Sequence, residues 1–323
     1  SFVRLLTLAA ALFTLNLFAA DSPREHLLLD ANWKFQLGDD WPDVLHLNKA
    51  GINSGPAAQR FNDSAWQTVN LPHDWAIELP FNPATDMNHG FKPVGPNFLK
   101  TSVGWYRRTF DLPAADAGKR IWLQFDGAYR DAMVYVNGWF VGHSESGYYP
   151  FRYDVTDVVN FGGGNTVAVR VDASRFEGWF YEGAGIYRHV WLDETAPVAI
   201  APNGIFVFSR FPHNVPEGPA EIHVEADLLN TLTNEAGAAV HCEIFSPDGK
   251  LVAQCDGTGT VPELARRDVK LACSVASPVL WSPESPNLYR LITTVEVGGK
   301  LVDRKETEFG IRTVAFDPHR CFL

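Results

Sequence analysis

The sequence has few cysteines and no basic cluster. Its 27 lysines and arginines face 38 aspartates and glutamates, which gives a formal charge of −11. No run of basic residues could follow a phosphate backbone, and this argues against a nucleic-acid partner. The four cysteines lack the spacing of a metal site or a disulfide framework, so we predict no metal, cofactor or redox chemistry. Cys242 and Cys273 alternate with apolar neighbours and are expected to be buried free thiols; a bridge involving Cys255 stays open.

Long hydrophobic runs are also scarce, with one exception at the start. Residues 1–20 place Arg4 before an apolar run and small residues before Asp21, which is the order of a secretory signal peptide. No later segment is long and apolar enough to span a bilayer. We therefore expect a periplasmic or extracellular protein with no membrane partner after cleavage. A membrane anchor is the alternative, because bulky Leu17 or Phe18 would occupy a site where a small residue is usual.

Apolar residues that alternate with polar ones are abundant after residue 21, and this period of two is typical of half-buried strands. Two segments carry clear apolar faces: Ile121, Leu123 and Phe125 in the first, and Val167, Val169 and Val171 in the second. Asn137-Gly138 separates two further runs and favours a type I′ hairpin turn. The pattern predicts a β-sandwich.

A second series of strands follows a change in composition at residues 196–204, where proline interrupts the alternation. The series has turn signals at Pro247-Asp248-Gly249 and at Gly298-Gly299. About 110 residues of short strands predict an immunoglobulin-like sandwich of seven strands. No internal repeat relates the two series, so the two domains are not copies of one module.

Several motifs carry a family resemblance. They are LPHDW (71–75), GWYRRTF (104–110), DAMVYVNGWFVGHSESGYYPFRYDVT (131–156), EGAGIYRHVWL (182–192), LWSPESPNLYRL (280–291) and EFGIRTVAFD (308–317). Together they resemble the non-catalytic part of family 2 glycoside hydrolases, in that family's order. The resemblance implies an all-β chain with a jelly-roll, galactose-binding-like sandwich at 21–198 and an immunoglobulin-like sandwich at 199–316. Residues 317–323 would begin a (β/α)8 barrel.

The resemblance also implies that the catalytic residues are absent from this sequence. Retaining glycosidases use two carboxylates, which the family carries as glutamates on the barrel. The chain ends at Leu323, where the first barrel strand is expected. We therefore expect no catalytic residue here, a barrel as partner, and a parent enzyme that hydrolyses terminal β-galactosides with retention.

The stretch EGWFYEGAGIYRHVWL (177–192) is the candidate sugar site. Its second half alternates as a strand, and its first half is the loop that enters this strand. Flat aromatic rings suit the C–H face of a pyranose, and carboxylates suit its hydroxyls. The predicted substrate-binding residues are Glu177, Trp179, Tyr181 and Glu182 in this loop, with Asn88 and His89 from the irregular MNHGFKPVG region. A sugar site requires the loop residues to be partly exposed, whereas a packing role requires the rings to be enclosed.

Three functional hypotheses follow. The first is the N-terminal, non-catalytic portion of an exported β-galactosidase-like hydrolase that binds carbohydrate. The second is a free-standing carbohydrate-binding module, and the third is an adhesin-like pair of sandwiches without a ligand. The coding sequence downstream of Leu323 separates the first two, because a barrel supports the hydrolase and an immediate stop codon supports the module.

Overall fold

The computed structural model describes residues 23–41, 54–85, 87–178, 181–316 and 321–322. The first sandwich contains β1 (Glu25–Leu28), β2 (Trp33–Leu37), β3 (Gln67–Val69), β4 (Val103–Leu112), β5 (Arg120–Phe125), β6 (Ala132–Val136), β7 (Trp139–Ser144), β8 (Phe151–Asp154), β9 (Gly163–Asp172) and β10 (Val190–Thr195). Its helical segments are α1 (Leu99–Ser102) and four 3-10 turns, at Trp75–Glu78, Met87–His89, Ala114–Asp116 and Thr156–Val158. Within the described ranges, no helix has the length and hydropathy needed to cross a membrane.

Two antiparallel sheets form this sandwich. One has the strand order β1-β10-β5-β8 and the other has the order β3-β2-β4-β9-β6-β7. Strands that are neighbours in the chain, such as β4 and β5 or β9 and β10, lie in opposite sheets. This crossing between sheets is the connectivity of a jelly roll, and it confirms the predicted fold.

The core of the first sandwich lies between these sheets. The two apolar faces predicted from the sequence, at 121–125 and 167–171, are fully buried there. Removal of this apolar surface from water stabilises the pairing of the sheets. Asn137 and Gly138 join β6 to β7 with φ of 51° and 86°, and positive φ at both positions confirms the predicted hairpin turn.

The second sandwich contains β11 (Val198–Arg210), β12 (Ala220–Asn230), β13 (Ala236–Phe245), β14 (Leu251–Val261), β15 (Ala265–Val275), β16 (Tyr289–Val297) and β17 (Lys300–Phe309). A 3-10 turn lies at Pro212–Asn214, and β18 (Ala315–Phe316) pairs with β19 (Cys321–Phe322) beyond the sandwich. The sheets have the orders β11-β12-β15 and β14-β13-β16-β17. These seven antiparallel strands confirm the predicted immunoglobulin-like sandwich.

Strand β11 differs from the expectation that proline separates the two series. It begins at Val198 and runs through Pro202 and Gly204. Its pairing with β12 shifts register between Ile200 and Ile205, so the disrupted pattern marks a β-bulge inside one strand. Proline is tolerated because β11 is an edge strand, and a bulge needs no ladder hydrogen bond there.

The two sandwiches meet at a buried ion pair. Arg24, just before β1, donates from Nε to Oδ1 of Asp303 at 2.9 Å and from Nη2 to Oδ2 at 2.7 Å. The same Nη2 donates to the carbonyl oxygen of Ile200. The backbone N–H of Ile200 in turn donates to the Asp303 carboxylate. Asp303 lies on β17 and is fully buried. One carboxylate therefore joins the start of β1, the β11 bulge and the edge of the second sandwich.

The cysteines of the second sandwich are free thiols. Cys242 and Cys255 are buried opposite each other on β13 and β14, and Cys273 is half-buried on β15. The burial predicted for Cys242 is confirmed, whereas Cys273 is only half-buried and therefore more open than expected.

Candidate functional site

The loop between β9 and β10 contains the candidate sugar site. Residues 177–178 and 181–185 of this loop are described, and Trp179 lies outside the described residues. The end of the loop is fixed by an antiparallel bridge, in which Gly185 and Tyr129 exchange both backbone hydrogen bonds, at 2.9 and 2.8 Å. The following residues Ile186, Val190 and Leu192 are buried in the first core. Strand β10 begins only at Val190, so residues 186–189 are not part of the strand that the sequence predicted.

Glu182 is buried, with 1% of its surface exposed, and therefore differs from the partly exposed residue that the sequence led us to expect. Its carboxylate accepts hydrogen bonds from the backbone N–H groups of Glu177, at 3.0 and 3.1 Å, and of Gly178, at 2.6 Å. Tyr148 Oη donates to the same carboxylate at 3.3 Å. These donors occupy the carboxylate, so Glu182 holds the loop closed on itself.

The region around Asn88 and His89 contacts the same loop. The N–H of Glu182 donates to the Asn88 carbonyl at 2.7 Å. His89 is buried, and its Nδ1 lies 2.6 Å from the carbonyl oxygen of Glu182. A carbonyl only accepts, so Nδ1 carries the proton in this contact. His89 thus supports the loop through its hydrogen bond to the Glu182 carbonyl, and its substrate-binding role remains a prediction.

Glu177 lies at the surface and is fixed by three groups. Its carboxylate accepts from Ser146 Oγ at 2.6 Å and from the Gly147 N–H at 2.8 Å, and Arg130 Nε lies 3.8 Å away. Burial alone would raise the pKa of Glu177, but the two hydrogen bonds and Arg130 outweigh it and lower the pKa. The site therefore presents an ionised, oriented acceptor at neutral pH.

Tyr181 is partly exposed and is anchored by Asp74. Its hydroxyl donates to Asp74 Oδ2 at 3.0 Å, while Asp74 Oδ1 accepts from the N–H of Ala184 at 2.9 Å. Burial, together with the charge of Asp74 and this hydrogen bond, raises the pKa of Tyr181. The phenol therefore stays neutral and can offer a ring face to a ligand.

Two glycines allow these close contacts. A Cβ on Gly183 would lie 2.3 Å from Asp74 Oδ2, and a Cβ on Gly147 would lie 2.1 Å from the ring of Tyr129. Any side chain at these positions would displace the groups that hold Tyr181 and Glu177. The glycine content of the motifs thus follows from the packing around the loop.

Four exposed rings belong to the loop of Glu177 and to the segment that holds its carboxylate. They are Phe176 (53% exposed) and Tyr181 (39%) in the loop, and Tyr148 (46%) and Tyr149 (72%) directly after Gly147. Burial, reinforced by the charge of Glu182 and its hydrogen bond, raises the pKa of Tyr148 to about 12, so this phenol is also neutral. Surface patches of this kind mark binding sites more often than ordinary monomer surface.

Sequence reasoning missed several residues of this site. Arg130, Ser146, Gly147 and Tyr148 come from the segments that flank the β6–β7 hairpin, at least 28 positions before Glu177. The sequence signal was the pair of adjacent tyrosines in SESGYYP (144–150), a turn-forming run that is too aromatic for a simple connection. Only the pairing of β6, β7 and β9 brings this run to Glu177.

The fold and the loop define a pair of β-sandwiches with carboxylate and aromatic side chains on the loop surface. Residues 28–196 match the family model described as glycosyl hydrolases family 2, sugar binding domain, and residues 209–312 match the model described as glycosyl hydrolases family 2. The chain belongs to glycosyl hydrolases family 2.

Some relatives are named as beta-galactosidases and others as beta-glucuronidases. The beta-galactosidase BoGH2A of Bacteroides ovatus is 33% identical over 93% of this chain and 33% of its own length. A putative beta-glucuronidase of Formosa agariphila is 31% identical over 93% of this chain and 26% of its own length. A solved family 2 member from Bacteroides cellulosilyticus superimposes with a TM-score of 0.77 at 31% identity, over 90% of this chain and 36% of the other. The chain spans about a third of the length of the relatives it matches.

Proposed function

We propose that the chain is the sugar-binding and immunoglobulin-like portion of an exported glycoside hydrolase that acts on terminal β-galactosides. The loop at 177–185 would contribute to binding of the terminal sugar. The observation that carries this proposal is the ionised carboxylate of Glu177, held by Ser146 and Gly147 at the surface beside exposed aromatic rings.

This combination suits a neutral hexose. A ring of Tyr149 or Tyr181 offers an apolar face to the C–H groups of a pyranose, and the carboxylate of Glu177 accepts hydrogen bonds from its hydroxyls. A glucuronide would bring a second carboxylate close to Glu177, and like charges repel each other. The local charge therefore supports a galactoside as substrate over a glucuronide, the two classes named among the relatives.

The predicted residues divide into two roles. Glu177 and Tyr181 lie at the surface and are proposed to contact the sugar, as Trp179 is from sequence alone. Asn88 is half-buried and stays in the predicted set, with its backbone carbonyl committed to Glu182. Glu182 and His89 are buried, so we assign them a supporting role in which they shape the loop.

Sugar binding by the purified chain tests the role of Glu177. We expect Glu177→Gln to weaken the binding of methyl β-galactoside about 3- to 10-fold, because a neutral acceptor forms weaker hydrogen bonds than a charged one. An NMR titration measures the affinity. Glu263→Gln, on an exposed turn of the second sandwich, is the matched control and should bind as the parent does. Equal affinities in both variants would remove Glu177 from the site.

Hydrolysis is expected only when further sequence is present. We expect the 323-residue chain to cleave aryl β-galactoside no faster than buffer, because the Glu182 carboxylate is occupied by backbone donors and cannot act with Glu177 as an acid and nucleophile pair. The same assay on a protein extended with the downstream coding sequence should show turnover of β-galactoside above β-glucuronide. Activity in the short chain after removal of host enzymes would contradict the proposal.

A further inference from the structure

A cavity of about 440 Å³ lies between the two sandwiches. Arg24, Arg152 and Asp193 line it from the first sandwich, and Arg304, Lys305 and Glu306 line it from the second. The volume falls in the range of about 300–1,000 Å³ that small-molecule sites occupy. The cavity shares no residue with the loop at 177–185.

Two arginines of the first sandwich line this cavity. Arg24 is tied to Asp303 through Nε and Nη2, as described above. Arg152 pairs through Nη2 with Asp193 Oδ2 at 2.8 Å, and its guanidinium lies 5.0 Å above the ring of Trp122. Its Nε is buried and has no hydrogen-bond partner among the described residues. A buried N–H donor without an acceptor costs about 1–3 kcal/mol. This Nε has less than 1 Å² of accessible surface, so an ion in the cleft would act on Arg152 through its charge.

The second sandwich adds two cations that form no ion pair within the described ranges. The side chains of Arg304 and Lys305 make no hydrogen bond or ion pair with a described residue, and Glu306 pairs with Arg290 at 3.4 Å. Four cationic side chains around the cavity, Arg24, Arg152, Arg304 and Lys305, face three carboxylates, Asp193, Asp303 and Glu306. Asp193 is shared with His26, which also lines the cavity, and Glu306 is shared with Arg290 outside it. Arg304 and Lys305 are thus cations without an ion pair to a described residue, in a chain whose formal charge is −11.

Lys305 is the cation of the second sandwich whose pKa responds to these neighbouring charges. Burial, followed by the positive charge of Arg24, lowers the pKa of Lys305, and Arg152 contributes in the same direction. Asp303 and Asp193 oppose this effect but do not cancel it. A half-buried ammonium group in the field of two guanidinium groups is unfavourable without an anion nearby.

We propose that this cleft binds an oxyanion group, a sulfate, phosphate or carboxylate, at the ammonium group of Lys305 and within the positive field of Arg24 and Arg152. The group is either a free ion or the charged substituent of an acidic saccharide. Its oxygens would accept charge-assisted hydrogen bonds from Lys305, and the charges of Arg24 and Arg152 would add to the attraction. Because these residues belong to different sandwiches, the bound anion would also fasten the two domains to each other.

Thermal unfolding of the 323-residue chain in sodium sulfate tests the site, with sodium chloride at equal ionic strength as reference. Linkage predicts a saturable rise in Tm of about 3 °C with sulfate. Lys305→Gln should shift the half-saturating sulfate concentration upward by at least about 10-fold. It should fold normally, because the substitution removes a cation from beside two others. Lys300→Gln, at the exposed start of the same strand, should respond as the parent does.

Three further ligands distinguish a free anion from the charged group of an acidic saccharide. Glucose 6-sulfate and glucuronate are compared with glucose, which has no charged group. Stronger binding of either acidic sugar than of sulfate identifies a saccharide ligand, whereas equal binding identifies the free ion. A response that is the same in Lys305→Gln and Lys300→Gln, or that chloride reproduces, would overturn the proposal. So would the absence of any response to all charged ligands.

Discussion

The substitution Asp303→Ala is expected to lower the free energy of unfolding by about 4 kcal/mol, because loss of one partner leaves the other charge of a buried ion pair unpaired. Asp303 is fully buried, and it accepts from Arg24 and from the N–H groups of Ile200 and Arg304. All of these donors would lose their acceptor. Thermal unfolding should show Tm lowered by at least about 10 °C.

An exposed ion pair provides the control for this prediction. Asp256, which pairs with His241 at 2.7 Å, has a side chain that is 80% exposed. Asp256→Ala should leave Tm nearly unchanged, because surface pairs contribute little. Similar losses in the two variants would show that the contact between the sandwiches does not depend on Asp303.

Glu182→Ala is expected to destabilise the first sandwich by about 3 kcal/mol, because two backbone N–H groups and the Tyr148 hydroxyl lose a charged acceptor. Sugar binding should weaken in the same variant, since the loop that carries Glu177 is no longer held. Thermal unfolding and hydrogen exchange of the amides at 177 and 178 measure the two effects.

Glu177→Gln separates folding from recognition. Because Glu177 lies at the surface, its substitution should weaken sugar binding with little change in Tm, the reverse of the balance expected at position 182. An unchanged Tm in Glu182→Ala, together with lost binding, would instead restore Glu182 to direct contact with the sugar.

The fold could be predicted from the sequence wherever burial follows a period of two. Strand geometry alone was enough to predict the buried faces at 121–125 and 167–171. The hairpin turn at Asn137-Gly138 could be predicted from the tolerance of these residues for positive φ. The extent of strand β11 could not be predicted, because Pro202 breaks the alternation of apolar and polar residues. Its bulge is stabilised by pairing with β12 and by Asp303, a residue 103 positions from Ile200, and such a contact leaves no local signal.

The candidate site could be predicted only in outline. Residue types placed a carboxylate and aromatic surface near Glu177, and the structure brings the region of Asn88 to the same loop. The burial of Glu182 could not be predicted, because loops lack periodicity and two glutamates five positions apart look alike in a sequence. Their difference arises from the directions in which the backbone N–H groups of residues 177 and 178 point.

The buried carboxylate of Glu182 also bears on how this surface can be redesigned. The loop keeps its shape through Glu182, Asp74 and Gly183, none of which needs the identity of the exposed rings. A combinatorial library that randomises Phe176 and Tyr149 while those three residues stay constant should therefore retain a high fraction of folded clones. New sugar preferences can then be selected on an unchanged scaffold, much as antibody loops diversify on a fixed framework.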